Sequence, residues 1–586
     1  MCMTRCKALT WIAVLVGITG LARGQTPNLS PDLQNVNPNS NVNVVVQFKH
    51  PPTNTDYQTP VQLGGSLRSQ LALVNGGAYT VPAQALSKLA ASSNVAYVSG
   101  DRPVENMLNL TAAAINASAA WNAGWNGSGI GVAVVDSGML THPDLMSSSN
   151  AFRVVYSQDF VGGGPQDQYG HGEHVGGMIG GDGKASTCLT CTRTFRGIAP
   201  GASLIDLRVL DQNGESTDST VIQGIDAAIV LASTYNIRVI NLSLGRPVFE
   251  SYTQDPLCRA AEQAWKAGIV VVVAAGNDGR DNSFGSNGYG TITAPGNDPY
   301  VITVGAMKTE GSPNRSNSLI ASYSSKGPTA VDQIVKPDIV APGNLVVSLL
   351  AQNTTLPTSN PQDLIPLSYY EETNNTATSS TYFSLSGTSM ATAAVSGAVA
   401  DLLQAEPTLT PDQVKARLMK TAYKVFPTTS TAVDPVTGDV YVDQYDIFTV
   451  GAGYLDLQAA LADSSLATAP AISPKASWNP STNNATLVPP LPPSAWTTQQ
   501  SFAPQVVWGA SVLLENTNTL WGNQAAWGTQ TTPTTSQTIW DTQAIWGTQS
   551  IWGTQSIWGT QSIWGTQSIW GTQSIWGTSI EVNGEQ

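Results

Sequence analysis

The chain is poor in histidine, in charge and in cysteine. Its 586 residues include four histidines, at 50, 142, 171 and 174, and five cysteines. Charged residues make up 11% and leave a formal net charge of −14. Nucleic acid selects basic surfaces, so this acidic balance argues against it as a partner. The H-E-x-x-H motif of zinc proteases is missing. So is G-x-S-x-G, which with the chain order Ser, Asp, His marks an α/β-hydrolase. The apolar run Ala8 to Leu21 is too short and interrupted for a membrane span. Arg5 and Lys7 precede it and Ala22-Arg23-Gly24 follow, so residues 1–24 read as a signal peptide. The expected location is therefore secreted, extracellular or associated with the cell surface.

Cys2 and Cys6 fall in that leader, leaving Cys188, Cys191 and Cys258. Cys188-Leu189-Thr190-Cys191 has no second pair to complete a zinc site. A redox or metal pair remains open, but export favours a local disulfide. Cys258 lies in a helix-like run, Pro256 to Ala267, and is expected to be a buried free thiol.

What the chain does contain is a serine in a small-residue turn, Gly387-Thr388-Ser389-Met390-Ala391, ahead of a helix-like run from Met390 to Leu403. A helix N-terminus offers backbone N–H groups and a positive dipole end, which suit a nucleophile beside developing negative charge. A serine hydroxyl also needs an adjacent base. Asp136 ends the apolar run Ile130 to Val135, which reads as a buried parallel strand with a carboxylate at its C-terminal end. His171 opens Gly170-His171-Gly172-Glu173-His174, a glycine-rich turn into a helix. In this arrangement His171 takes the serine proton and Asp136 holds the ring tautomer. Two alternatives stand beside this reading. Ser389 and Asp136 are also ordinary capping residues, and His171 with His174, at i and i+3, also share a helical face that suits zinc. His50 lies in the N-terminal region and His142 in a polar turn, so His171 is the best base candidate.

These segments, with Asn241-Leu242-Ser243-Leu244-Gly245 and Ala274-Ala275-Gly276-Asn277, resemble the subtilisin family of serine proteases over roughly residues 107–465. The resemblance implies the catalytic set Asp136, His171 and Ser389, with Asn277 as an oxyanion donor. It also implies a substrate-binding strand at Ser243, Leu244 and Gly245, flanked by Ala274 and Gly276. Glu173 departs from the family's usual threonine. Thr293 stands where glycine is common, which implies a shallower primary pocket, and Asp278 beside Asn277 raises a preference for basic side chains. The family's calcium ligands have no match in Asp182 to Cys188. No metal is assigned, no cofactor is required for the chemistry, and structural calcium stays unmatched.

Alternation of strand-like runs (130–135, 204–210, 238–242, 269–274, 301–304) with helix-like runs (221–234, 256–267, 390–403) implies an α/β fold, a parallel sheet covered on both faces. The resemblance sharpens this to a subtilisin-like sheet preceded by a small α+β prodomain at 25–106. That prodomain has strands at Val42 to Phe48 and Val95 to Val98, helices at Ser66 to Val74 and Ala83 to Ala91, and a cut between Asp101 and Asn109. A permanent N-terminal domain is the alternative. The catalytic domain spans 107–465, with polar surface insertions at 352–381 and 425–449. Residues 466–535 read as a low-complexity linker from their Ser, Thr, Pro, Asn and Ala content. Residues 536–580 repeat Ile-Trp-Gly-Thr-Gln-Ser, with Trp540 to Trp576 every six residues, and 581–586 form the C-terminal end.

The expected protein is a secreted, self-processed serine endopeptidase. Its partners are protein or peptide substrates, its own prodomain, and a cell surface or polysaccharide met by the tryptophan repeats. The rival is a non-catalytic surface-binding or adhesin protein on the same core. On this reading, removal of residues 466–586 leaves catalysis nearly intact.

Overall fold

The computed structural model of the chain describes most of residues 28–100 and 110–508, and beyond them 530–532, 535–537, 575–576 and 585. The leader, the segment between Asp101 and Asn109 and nearly all of the tryptophan repeat lie outside the described residues. The chain divides into two compact units, residues 1–105 and 106–586.

The first unit is a four-stranded antiparallel sheet, in the order β2 (Ser66–Leu71), β3 (Gly76–Pro82), β1 (Asn41–Phe48), β4 (Val95–Gly100). Helices α1 (Asn54–Gln62) and α2 (Leu86–Ala90) accompany it. Val44, Val46, Tyr79, Leu89 and Val98 form its buried centre. The helix expected from Leu67 and Leu71 is corrected to strand. Asn75 adopts a left-handed φ of 50° and turns the chain, so that Leu71 pairs with Gly76 and Ser66 with Thr80. A long-range ladder overrides a weak helical period here.

The second unit begins with short helices α3 (Leu110–Ala114) and α4 (Ala117–Asn122), then β5 (Gly131–Asp136) and β6 (Val154–Asp159). There follow α5 (His171–Gly180), β7 (Ser203–Arg208), β8 (Glu215–Ser216), α6 (Asp218–Tyr235) and β9 (Ile237–Leu242). Next come α7 (Pro256–Lys266), β10 (Val270–Ala274), β11 (Ile302–Lys308), β12 (Leu319–Ile320), β13 (Ile339–Pro342) and, further on, the short α8 (Thr355–Ser359). The sheet runs β12-β11-β10-β9-β5-β7-β6, with β13 also on β11. Every described pairing in it is parallel except β11 with β12. Val132 to Val135 and Val270 to Val273 are buried on both faces, as a parallel sheet under two helical layers requires. Helix α5 packs with α9 (Thr388–Ala405), and α6 packs with α7. Order reverses at β5: the next strands of the sheet lie to one side of it and the later ones to the other. Ligands bind at such a crevice, outside the strands' carboxyl ends, and Asp136 ends β5 there.

The insertion at 352–381 is more than surface loop. It buries Leu356, Ile365 and Tyr370, and its end forms part of a strand, Thr378–Leu385, that pairs with Val346–Leu349. The 425–449 insertion holds a hairpin, Thr429–Val433 with Val440–Gln444, and buries Ile447 and Phe448.

The linker reading of 466–535 is corrected for its described part up to Trp508; residues 509–529 lie outside the described residues. Ala467, Ala471, Ala476, Trp496, Phe502 and Trp508 are buried in a second core against Met419 and Phe448. The Trp496 and Trp508 rings meet edge to face at 5.2 Å, and the Trp496 indole donates to the Ile472 carbonyl at 2.7 Å. Bulk composition does not reveal that Trp496, Phe502 and Trp508, set among many small polar residues, are buried.

Candidate active site

The carboxyl end of β5 delivers Asp136, 1% exposed, to the fully buried His171 at the first position of α5. Asp136 Oδ1 lies 2.7 Å from His171 Nδ1 and also accepts the Ser137 N–H at 2.8 Å. Close approach of helix to strand depends on glycine: a Cβ on Gly172 would lie 2.4 Å from the Gly138 carbonyl oxygen. Burial alone would push the His171 pKa down. The Asp136 carboxylate outweighs this by its charge and its hydrogen bond, and the net shift is upward.

The start of α5 is organised by Asp167, which was not singled out from sequence. Its Oδ1 accepts from Gly170 N–H at 2.7 Å and from the Ser137 hydroxyl at 2.9 Å, and its Oδ2 accepts from Glu173 N–H at 2.8 Å. The Gly170 and Glu173 N–H groups are orphan donors of the helix start. The available signal was an aspartate three residues ahead of Gly170. Glu173, the departure from family pattern, accepts the Leu140 N–H at 2.6 Å. Burial pushes its pKa up to about 8, so it is mostly neutral at pH 7. His174 Nε2 lies 3.0 Å from the Val346 carbonyl, and burial lowers its pKa to about 3. His142 accepts the Asp144 N–H at 3.1 Å and caps its own turn. The two rings of the His171–His174 pair thus have different partners, a carboxylate and a carbonyl.

Ser389 is the second residue of α9, and 1% of it is exposed. Its carbonyl accepts from the Ser243 hydroxyl at 3.0 Å, and its own hydroxyl donates to the Ser243 carbonyl at 3.2 Å. Asn241 donates to Ser243 Oγ at 2.9 Å and accepts from Ser396 at 2.8 Å, tying the end of β9 to α9. Among the described residues His171 Nε2 has no hydrogen-bond partner. Catalytic hydrogen bonds often tighten only once substrate is bound. Asn277 is oriented by Thr388, whose N–H and hydroxyl both donate to its Oδ1, at 2.9 and 3.0 Å. That leaves Nδ2 turned towards Gly387, 3.1 Å from where a Cβ on that glycine would stand.

Ser243, Leu244, Gly245, Ala274 and Gly276 are all buried. The backbone beyond Gly245 pairs with 293–294 through two Arg246–Ala294 bonds of 3.0 and 2.7 Å. Thr293 lies between the two glycine segments. Its Oγ1 would be 2.5 Å from a Cβ on Gly245, and its Cγ2 2.8 Å from one on Gly276. Asp278 is exposed. Cys188 and Cys191 are joined as a disulfide, and Cys258 is a buried thiol 3.1 Å from Asn297 Oδ1. The only metal-ligand cluster among the described residues is Cys188, Cys191 and Glu371, where both sulfurs are already bonded to each other. Asp182, the one carboxylate of 182–188, accepts the Lys184 N–H at 2.9 Å.

A serine on a helix N-terminus, joined to the end of β9, and a buried histidine–aspartate pair at the sheet crevice are the parts of an acyl-transfer site. Residues 127–453 match the Subtilase family. The chain belongs to that family. It is 34% identical to the serine protease AprX of Bacillus subtilis (strain 168) over 64% of its own length and 82% of that protein's. It is 34% identical to subtilisin E of the same organism over 61% of this chain and 78% of that one. It is 33% identical to the extracellular serine proteinase of Thermus sp. (strain Rt41A), over 59% and 71%. This subtilase is a subtilisin-like serine endopeptidase, and its substrates are proteins or peptides.

Proposed function

We propose that Ser389, His171 and Asp136 act as one catalytic unit in an enzyme exported as a self-processed precursor. The observation that carries the proposal is the 2.7 Å Asp136–His171 contact at the carboxyl end of β5. His171 Nε2 takes the Ser389 proton as Oγ attacks the peptide carbonyl. The tetrahedral oxyanion is held by the Ser389 N–H, at the N-terminus of α9, and by Asn277 Nδ2, which Thr388 orients. His171 then protonates the leaving amine, and water repeats the cycle on the acyl-enzyme. Asp136 keeps the His171 proton on Nδ1 and stabilises the imidazolium. No step needs a cofactor. Thr293, wedged between Gly245 and Gly276, makes the primary pocket shallow and favours small or medium side chains there.

Export rests on the charged and apolar pattern of residues 1–24, and self-processing on the compact unit that precedes the protease unit. Among the described residues no helix is long and apolar enough to cross a membrane. The deciding experiment is labelling of purified protein with a serine-directed phosphonate, followed by peptide mapping. A label on Ser389 supports the assignment, and a label elsewhere or none in hydrolytically active protein defeats it.

Asn277→Ala is expected to lower kcat by about 10²–10³, the effect such a donor has in a subtilisin, with KM little changed. Steady-state kinetics on one soluble peptide measures both, and a loss confined to KM would contradict the oxyanion role. The upward shift on His171 gives a pH expectation. The ring is an effective base only when neutral, so activity is lost as pH falls through its raised pKa. The acidic limb of kcat/KM should have its midpoint above the ordinary imidazole value of about 6.5. A pH–rate profile with its midpoint near 4 would instead implicate a carboxylate.

A further inference from the structure

Two parts of the tail that follows the second core are seated on the protease unit, each against its own set of residues. The first is Glu585, only 3% exposed although it belongs to a polar end segment. Its Oε1 is 2.9 Å from Arg280 Nη2 and accepts the Ser322 N–H at 2.8 Å, and the Ser322 hydroxyl also donates to it. Its Oε2 is 3.1 Å from Lys308 Nζ. The backbone is gripped as well: Glu585 N–H donates to Asn344 Oδ1 at 2.9 Å, and Asn344 Nδ2 donates to the Glu585 carbonyl at 2.8 Å. Burial would raise the Glu585 pKa, yet Ser322, Lys308 and Arg280 hold it below the usual carboxylate range. This is a carboxylate site, in which both oxygens, the N–H and the carbonyl of one residue are all met.

Its position connects it to the chemistry. Arg280 is three residues beyond Asn277. The carbonyl of Gly343, next to Asn344, accepts the Gly387 N–H at 2.8 Å, two residues before Ser389. Leu345 on the other flank donates its N–H to Ser386 Oγ at 2.8 Å. The second part, Ile575–Trp576, pairs antiparallel with β8, Ile575 opposite Ser216 and Trp576 opposite Glu215. No other described strand pairs with β8. A Cβ on Gly214, the residue before β8, would be 2.5 Å from the Tyr169 ring, whose centroid lies 6.5 Å from that of His171. One anchor therefore adjoins the serine side and the other the histidine side.

We infer that the tail of this protease is its own internal ligand: Glu585 fills a carboxylate site formed by Arg280, Lys308, Ser322 and Asn344, Ile575–Trp576 adds a strand to Glu215–Ser216, and the seated tail competes with peptide substrate. Strand addition supplies main-chain affinity without demanding a particular sequence, and this is also how an extended peptide is held. The buried carboxylate supplies selectivity, because its loss leaves Arg280 and Lys308 without that partner. The partner the site fits is an acidic peptide segment, here from the same chain. The inference rests on Ser389 and His171 being the catalytic pair.

The test compares the full chain with its Glu585→Gln variant, which keeps shape and removes charge. In a Ser389→Ala background, where self-cleavage cannot confuse the result, hydrogen exchange reads the amides of Trp576 and Glu585. Glu585→Gln is expected to speed exchange at Glu585 by about tenfold or more, and that at Trp576 in parallel. With Ser389 present, the same substitution should raise kcat/KM on a soluble peptide several-fold, chiefly through a lower KM. A synthetic peptide of residues 571–586, added to the Glu585→Gln enzyme, should inhibit competitively, and the same peptide carrying the Gln should inhibit at least about tenfold more weakly. Unprotected amides in the Ser389→Ala chain, or unchanged kcat/KM with no peptide inhibition, overturns the inference. Protected amides in a chain whose Ser389 proves not to be the nucleophile would leave the seating in place and defeat the catalytic assignment, so the two failures are distinguishable.

Discussion

Ser389→Ala is expected to abolish peptide hydrolysis and to leave the precursor uncut. The expected loss in kcat is about six orders of magnitude, the size seen when this unit is broken in a subtilisin. His171→Ala should be equally damaging and should not add to the serine change, because a nucleophile without its base and a base without its nucleophile fail at the same step. The structure supplies a control on the same helix. His174 shares α5 with His171 but bonds the Val346 carbonyl and is held neutral by burial. His174→Ala should therefore act through stability, lowering the melting temperature while folded enzyme keeps most of its turnover. Activity assays on folded protein, checked by circular dichroism, decide this. Ordinary turnover in Ser389→Ala with contaminating protease excluded, or a dead His174→Ala beside a live His171→Ala, would overturn the assignment.

Removal of residues 466–586 is expected to destroy the fold, the reverse of what composition alone implies. The cut would remove Trp496, Phe502 and Trp508 and uncover Met419 and Phe448. Truncating one large buried aromatic typically costs about 3–5 kcal/mol, and this cut deletes three within a domain whose whole stability is about 5–15 kcal/mol. It also takes away the Ser473 hydroxyl, which bonds Lys415 Nζ at 2.8 Å and Asp338 Oδ1 at 2.5 Å inside the core. Thermal unfolding of the truncated chain, beside a chain ending at Trp508, makes the comparison. Cooperative unfolding and full turnover of the chain that lacks all of residues 466–586 would show that the second core is dispensable.

Most of the site was legible because its chemistry demands particular residues at particular joints. Asp136 ends a valine-rich run, and His171 and Ser389 each stand at a glycine-marked helix start. Strand ends and helix starts are local features that spacing and small residues reveal. Less was legible where partners are remote in sequence. Asp167 serves the start of α5 through hydrogen bonds whose geometry exists only once Ser137 and Gly170 meet. Thr388 orients Asn277 across 111 positions. Ser66–Leu71 has a helical spacing of leucines, yet the turn at Asn75 makes it a strand.

By itself the sequence pointed to the α/β class and to the order of the three catalytic candidates, and it favoured a local disulfide for Cys188 and Cys191 over a redox or metal pair. Each of these depends on short-range patterning: apolar runs bounded by turns, a C-x-x-C spacing and glycines at helix starts. Tertiary structure alone decided that residues 467–508 belong to the protease core, that Thr293 lies between Gly245 and Gly276, and that Glu585 is buried among Arg280, Lys308 and Ser322. Burial is a property of what surrounds a residue, and those surroundings come from segments far apart in the chain. The same tryptophan or glutamate reads as tail in one dimension and as core or ligand in three.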